Sequence, residues 1–178
     1  QRGDQVLCIG EQTAGANRVV SALRQLGERK LLPDVVLAHP GWGETMFLRG
    51  ALPRTPFLGY CEFYCRVEGA DVGFDPEYPV DDRHWQRLRL RNMPYLLALH
   101  DMDAGWCATQ WQRAQFPAEY QAKLNVLHEG VDTEKVFSDA QAELIIAGHR
   151  LRLGDPVVTY VARNLDPYRG FHSFMRSL

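Results

Sequence analysis

Strand-like apolar runs alternate with helical patterns along this chain of 178 residues. Apolar side chains recur at helical spacing over residues 11–29, and a short apolar run follows at residues 34–38. Because strands that are separated by helices tend to pair in parallel, the alternation predicts an α/β fold with a parallel sheet flanked by helices. The composition, 46% hydrophobic and 24% charged, is that of a globular domain.

The same patterns predict the remaining elements. Further strands are expected over residues 56–60, 105–108, 125–127 and 157–161. Further helices are expected over residues 45–51, 85–99, 111–116 and from 171 onward. Residues 142–153 favour a hairpin over a helix, because residues 150–153 alternate with period two and Ala147-Gly148 can turn. Residues 5–9 fit either a strand or an extension of the first helix.

Several local signals set the boundaries of these elements. Residues 66–80 are rich in Gly, Pro and Asp and predict a long loop. Asp81 or Asp82 can cap the helix that follows, and Pro94 should kink it or split it in two. The Thr-x-x-Gln spacing from Thr109 is that of a capping box, which predicts a helix start there.

Charge and cysteine content exclude several classes of protein. Twenty basic and 22 acidic residues give a net charge of -2 without a long run of one sign, so no nucleic-acid surface is indicated. The four cysteines, Cys8, Cys61, Cys65 and Cys107, are too few for a disulfide scaffold of this length. Cys61 and Cys65 form a lone C-x3-C without a partner pair, so no metal site is predicted. Buried thiols in a reducing cytosol are the preferred interpretation.

Ligands of parallel α/β sheets bind beyond the carboxyl ends of the strands. The first such junction is the sequence HPGWGE, directly after the first predicted strand. There His39 is a candidate base or hydroxyl partner, Trp42 a sugar-stacking plate and Glu44 a hydroxyl acceptor. Gly41 and Gly43 would let the backbone approach a ligand closely. The alternative is a tight strand-to-helix turn with a capping carboxylate.

Two further junctions carry charged side chains. Glu62 follows the strand that ends at Tyr60 and either pairs with an arginine or faces the cleft to bind substrate hydroxyls, with Tyr64 beside it. Arg163 and Arg169 bracket one strand–turn–helix connection and can converge on a diphosphate, or they are solvated surface residues. Four other arginines on or near one predicted helix are interpreted as a solvated face: Arg83, Arg87, Arg89 and Arg91.

The colinear sequences PDVVLAHPGWGE, GYCEFY, GADVGFDPEYP, ATQWQRAQFP, VLHEGVDT and PVVTYVARNLDPYRGFHSFMRSL resemble those of family-4 (group 1) glycosyltransferases. These are retaining enzymes with a GT-B fold of two Rossmann-like domains. The resemblance implies that residues 1–153 form most of the N-terminal, acceptor-side domain. Residues 154–178 would be the first strand and helix of the C-terminal, nucleotide-sugar-binding domain. The family's opening strand with its glycine-rich loop would precede Gln1, and its paired glutamates would follow Leu178. We therefore expect a fragment that needs the missing part of its own C-terminal domain and does not catalyse transfer by itself.

The resemblance also implies roles for individual residues. Arg163 matches the family's diphosphate-binding arginine, and Arg169 takes a position usually held by lysine. His39 and Glu44 lie in the family's strand-end loop that faces the cleft. Glu62 stands in the region where many members have a catalytic histidine, so the resemblance carries no catalytic histidine over to that region. His39 and Glu62 are the catalytic candidates.

We therefore expect a glycosyltransferase that uses a nucleotide sugar as co-substrate, without another cofactor and without an obligatory metal. Its acceptor would be a glycan or a lipid-linked sugar, in polysaccharide biosynthesis. The expected location is the cytoplasm, with peripheral association with the inner membrane left open. The rival interpretations are a non-catalytic α/β module that binds a nucleotide or phosphorylated ligand, and a hydrolase that uses His39 with an acid.

Overall fold

The computed structural model describes residues 2–81 and 83–178, which divide into two compact units. The first unit ends at His128, and the second runs from Glu129 to Leu178. The hairpin over residues 142–153 lies in the second unit. The predicted domain boundary, between residues 153 and 154, assigns this hairpin to the first domain. The assignment of acceptor-side and donor-side domains stays a prediction.

A four-stranded parallel sheet forms the centre of the first unit and confirms the predicted α/β class. Its strands are β1 (Val36–Ala38), β2 (Phe57–Tyr60), β3 (Ala104–Cys107) and β4 (Leu124–Val126), which lie side by side in chain order. β1 is therefore an edge strand, and Leu37 in its middle is 66% exposed. The prediction that this strand is buried was wrong, because a short apolar run looks the same at an edge as in the centre of a sheet.

Four α-helices accompany the sheet: α1 (Arg2–Glu28), α2 (Leu48–Ala51), α3 (His84–Asp101) and α4 (Gln110–Gln115). Residues 5–9 are thus an extension of the first helix. Short 3-10 helices cover Pro40–Trp42 and Ala118–Lys123. No helix in residues 2–81 and 83–178 is both long and apolar enough to cross a membrane.

The helix boundaries confirm one predicted cap and correct another. Thr109 Oγ1 accepts a hydrogen bond from the Gln112 backbone N–H at 3.1 Å, as the capping box predicts. α3 begins after Arg83, and Asp81 instead accepts a hydrogen bond from the Arg83 N–H. Asp82 lies outside the described residues. Pro94 does not split α3, which continues through it.

The core lies between the sheet, α3 and the segment after α4. Phe57, Leu99, Met102 and Phe116 are almost completely buried there. The exposed carbonyls at the C-terminal end of α3 are satisfied by Lys123, whose Nζ donates to the carbonyl oxygens of Leu99, His100 and Met102 at 3.1, 3.2 and 2.9 Å. These contacts anchor the C-terminal end of α3 beside the start of β3.

The second unit contains the predicted hairpin. β5 (Glu143–Ile146) and β6 (His149–Arg152) pair antiparallel. Ala147 and Gly148 connect them with φ angles of 48° and 83°, which is the backbone of a type I′ turn. The predicted strand over residues 157–161 is wrong, because no strand of the described second unit pairs with this segment. α5 (Phe171–Arg176) confirms the last predicted helix.

Candidate functional site

The carboxyl ends of β1 and β2 bring two of the predicted site residues together. β1 ends at Ala38, directly before His39, and β2 ends at Tyr60, two residues before Glu62. The two strands pair in parallel with Ala38 opposite Gly59, so the segments that follow them leave the sheet at the same edge. This is the edge at which ligands of open α/β sheets bind.

His39 and Glu62 form a hydrogen-bonded pair. His39 Nε2 lies 3.0 Å from Glu62 Oε2. The Gly41 backbone N–H donates to His39 Nδ1 at 3.2 Å, so that nitrogen is an acceptor and the neutral imidazole carries its proton on Nε2. His39 therefore donates to the Glu62 carboxylate. The imidazole, rather than an arginine, is the partner of Glu62.

The HPGWGE loop folds tightly for reasons within the protein. His39 is the N-cap of the 3-10 helix that begins at Pro40. Gly43 follows that helix with φ = 100°, and a Cβ there would lie 2.7 Å from the Cα of Gln12 on α1. A Cβ on Gly41 would lie 2.8 Å from the His39 ring. Both glycines are thus required by the turn and by its packing.

Aromatic rings surround the imidazole on three sides. Trp42 stacks on His39 with ring centroids 6.1 Å apart, and its side chain is 65% exposed. Tyr60 and Tyr95 meet the imidazole edge-on at 5.8 and 6.1 Å. A small pocket of about 60 Å³ opens beside the pair. Its lining consists of His39, Gly41, Trp42, Glu62, Phe63, Cys65, Arg91, Asn92 and Tyr95.

α3 forms the back wall of this pocket. Asn92 is buried, and its Oδ1 accepts from the Cys65 N–H at 3.0 Å while its Nδ2 donates to the Cys65 carbonyl at 2.7 Å. The Tyr95 hydroxyl lies 3.5 Å from the backbone N of Phe63. These contacts hold the segment after β2 in place, and Glu62 with it. Burial raises the pKa of Tyr95 well above its usual range.

The cysteines near the site are buried and unreactive, as the sequence predicts for Cys61, Cys65 and Cys107. Burial raises the pKa of Cys65 to about 12 and that of Cys107 to about 11. Burial also raises the pKa of Cys61, with Cys107 beside it as a second cause. Because the thiolate is the nucleophilic form, none of the three is a nucleophile at neutral pH.

Three predicted cleft residues, Gly43, Glu44 and Tyr64, lie outside the pocket. The Glu44 side chain packs on α1, where a Cβ built on Gly15 would lie 3.6 Å from Glu44 Oε1. Its Oε2 is buried without a hydrogen-bond partner among the described residues. Tyr64 packs against Phe116 with ring centroids 5.5 Å apart, and burial raises its pKa. Tyr64 thus lies behind the wall that Tyr95 forms, because Phe116 packs against both rings, whereas Glu44 faces α1.

Some pocket residues were missed by sequence reasoning. Asn92 and Tyr95 are three residues apart on α3, a spacing that places them on one helix face, but it is equally typical of a core-facing helix. Arg91, interpreted as part of a solvated face, lines the pocket at its rim. Phe63 lies directly after Glu62, and no motif or periodicity in the sequence indicates a role for it.

Arg163 and Arg169 lie in the second unit, and both are exposed. Arg169 ends the 3-10 helix Pro167–Arg169, whose N-cap Asp166 accepts a hydrogen bond from the Arg169 backbone N–H at 3.1 Å. Within the described second unit, neither guanidinium is held in an ion pair. Their role as diphosphate-binding residues stays a prediction.

The fold and the site thus define an α/β protein with a polar pair at the ligand-binding edge of its sheet. A family model described as "Glycosyl transferase family 4 group" matches residues 5–136, a range that includes both loops of the site. The chain belongs to this family, and its class of activity is glycosyl transfer between a sugar donor and an acceptor. No curated protein and no solved structure gave a significant match.

Proposed function

We propose that the protein transfers a hexosyl group from a nucleotide sugar to a hydroxyl of a glycan or lipid-linked acceptor, with retained configuration, in polysaccharide biosynthesis. The observation that carries this proposal is the His39–Glu62 pair at the carboxyl edge of the sheet. Glu62 is 55% exposed in its side chain and is held from one side only, through Oε2. Its Oε1 makes no hydrogen bond to the described residues, so it is available to an acceptor hydroxyl.

In this proposal Glu62 is the group that meets the acceptor. A carboxylate accepts a hydrogen bond from the attacking hydroxyl, orients it and increases the electron density on its oxygen. The imidazole fixes the carboxylate, because its Nε2–H can only donate while Nδ1 is occupied by the Gly41 N–H. His39 thereby positions Glu62 and prevents it from turning away into solvent.

For the nucleotide-sugar donor, the proposal rests on the positive charge of two arginines. As the bond between the sugar and the diphosphate breaks, negative charge develops on the leaving phosphate oxygens. Guanidinium groups stabilise such charge with forked hydrogen bonds. Arg163 and Arg169 are exposed cations on the segment before α5, and we propose that they bind the diphosphate of the nucleotide sugar.

The test measures sugar transfer by the full-length gene product with a panel of nucleotide sugars, through release of the nucleoside diphosphate. We expect Glu62→Gln to lower kcat by about 100-fold, the lower end of what a general base contributes. The matched control Glu28→Gln, at the exposed end of α1, should leave kcat unchanged. Wild-type activity in Glu62→Gln would overturn the assigned role.

Two further readouts complete the test. Arg163→Ala should reduce kcat/KM for the donor tenfold or more, whereas Arg18→Ala, exposed on α1, should not. Proton NMR of the first-formed product gives the anomeric configuration, and inversion would refute retention. Nucleotide binding without any release of diphosphate would favour a non-catalytic binding module. Cell fractionation tests the proposed cytoplasmic location and any association with the inner membrane.

A further inference from the structure

Two exposed tryptophans flank the His39–Glu62 pair, one on each side of β2. Trp42 follows β1 and stacks on His39. Trp111 lies in the first turn of α4, behind β3, and is 54% exposed. It stacks on Phe63 with ring centroids 5.8 Å apart and an interplanar angle of 28°. Since Phe63 lines the same pocket as Trp42, both tryptophans belong to the surroundings of the pair.

The order of the strands arranges these groups in a row. β1, β2 and β3 are neighbours, so the segments that follow them present Trp42, Glu62 and Trp111 in that order along the edge of the sheet. Adjacent strands are about 4.8 Å apart, which places the ends of β1 and β3 roughly 10 Å apart. One sugar ring does not reach across that span, whereas two linked rings do.

The size of the pocket leads to the same arrangement. A volume of about 60 Å³ holds a few water molecules and no pyranose ring. A sugar must therefore lie across the mouth of the pocket, where it can meet the face of each tryptophan that is not stacked on His39 or Phe63. Aromatic faces with a few well-placed polar groups are the usual lining of sites for such ligands.

We infer that the acceptor is an oligosaccharide of at least two linked sugars, with one ring on Trp42, the next on Trp111 and the reacting hydroxyl at Glu62 between them. This inference rests on the proposed function. Phe63 is a positioning residue in this arrangement, since it supports the ring of Trp111. A free monosaccharide would contact only one of the two tryptophan rings.

Calorimetric titration of the full-length gene product with mono-, di- and trisaccharides of glucose, mannose, galactose and glucuronic acid tests the inference. In at least one series we expect the disaccharide to bind roughly fivefold to tenfold more tightly than the monosaccharide. Trp111→Ala should remove that gain and leave monosaccharide affinity unchanged, while Trp111→Phe should retain part of it. The control Trp85→Ala, on α3 and 51% exposed, should change neither affinity.

Three outcomes would each overturn the two-sugar inference. They are equal affinity for the mono-, di- and trisaccharide in every series, no binding of any saccharide, and a loss of disaccharide affinity in Trp85→Ala as large as that in Trp111→Ala. The release of nucleoside diphosphate distinguishes this failure from failure of the proposed function. An enzyme that consumes a nucleotide sugar but shows no dependence on acceptor length refutes the inference alone. An enzyme that consumes none of the donors refutes the proposed function itself.

Discussion

Replacing Asn92 with leucine removes both hydrogen bonds that hold the backbone of Cys65, at nearly constant side-chain volume. Asn92 is 4% exposed and Cys65 is 7% exposed, so water does not replace the lost partners. Each backbone group left unpaired costs about 1–3 kcal/mol, and the added apolar surface of leucine offsets roughly 1 kcal/mol of the sum. We expect Asn92→Leu to lower the free energy of unfolding by about 1–5 kcal/mol.

Urea unfolding, followed by far-UV circular dichroism, measures this change as a lower urea concentration at the unfolding midpoint. The dependence of the unfolding free energy on urea concentration should be unchanged. The control is Asn17→Leu on the exposed face of α1, which should alter stability by no more than about 0.5 kcal/mol. A loss below about 1 kcal/mol in Asn92→Leu would refute the reasoning, because it would mean that the Cys65 backbone finds other partners.

Asn92→Asp gives a second test with a defined sign. An ionised aspartate can accept from the Cys65 N–H but cannot donate to its carbonyl, whereas a protonated one does both. Burial raises the pKa of such a carboxyl in the folded state. The variant's deficit relative to wild type should therefore shrink as the pH falls through that raised pKa, and a deficit that is constant with pH would contradict the proposed pair of bonds.

Three further changes test other parts of the first unit. Thr109→Ala should cost about 1 kcal/mol in urea unfolding through loss of the α4 cap, and a loss near zero would show that the cap contributes nothing. Gly105→Ala should cost about 1–3 kcal/mol, since its Cβ would lie 2.9 Å from the backbone oxygen of Gly59; unchanged stability would show that β3 shifts freely. The Phe57 N–H and the neighbouring Arg49 guanidinium lower the pKa of Asp103 in the folded protein. The ionised Asp103 carboxylate therefore stabilises the fold above its unfolded-state pKa, and this stabilisation is lost as the pH falls through the folded-state pKa. Asp103→Asn should flatten the acid side of the stability curve below about pH 4, and an identical acid slope in both proteins would contradict this.

The edge of the sheet at which the site lies was predictable from the sequence. Polar residues that follow apolar strands within two positions, His39 and Glu62 among them, share an edge in any parallel sheet. The bond between their side chains was not predictable, because it depends on the register of β1 against β2 and on the turn at Gly41. Strand patterns define neither the register nor the side-chain rotamer.

Other misses have equally specific causes. The apolar segment 157–161 satisfies the pattern of a strand, but a strand also needs a neighbour for its backbone groups, which the local pattern does not supply. Pro94 would break an isolated helix, yet it is buried in α3, where tertiary packing outweighs its local cost. The stacking of Trp111 on Phe63 joins residues far apart in the sequence and left no periodic signal.

The hydrogen bond from the Gly41 amide to His39 Nδ1 has a consequence for the HPGWGE loop. Because that bond occupies the Nδ1 lone pair, only Nε2 is left to carry the proton of the neutral ring. The tautomer that meets Glu62 is thus set by a backbone group of the same loop, so a substitution that moves the Gly41 amide would also release the choice of tautomer.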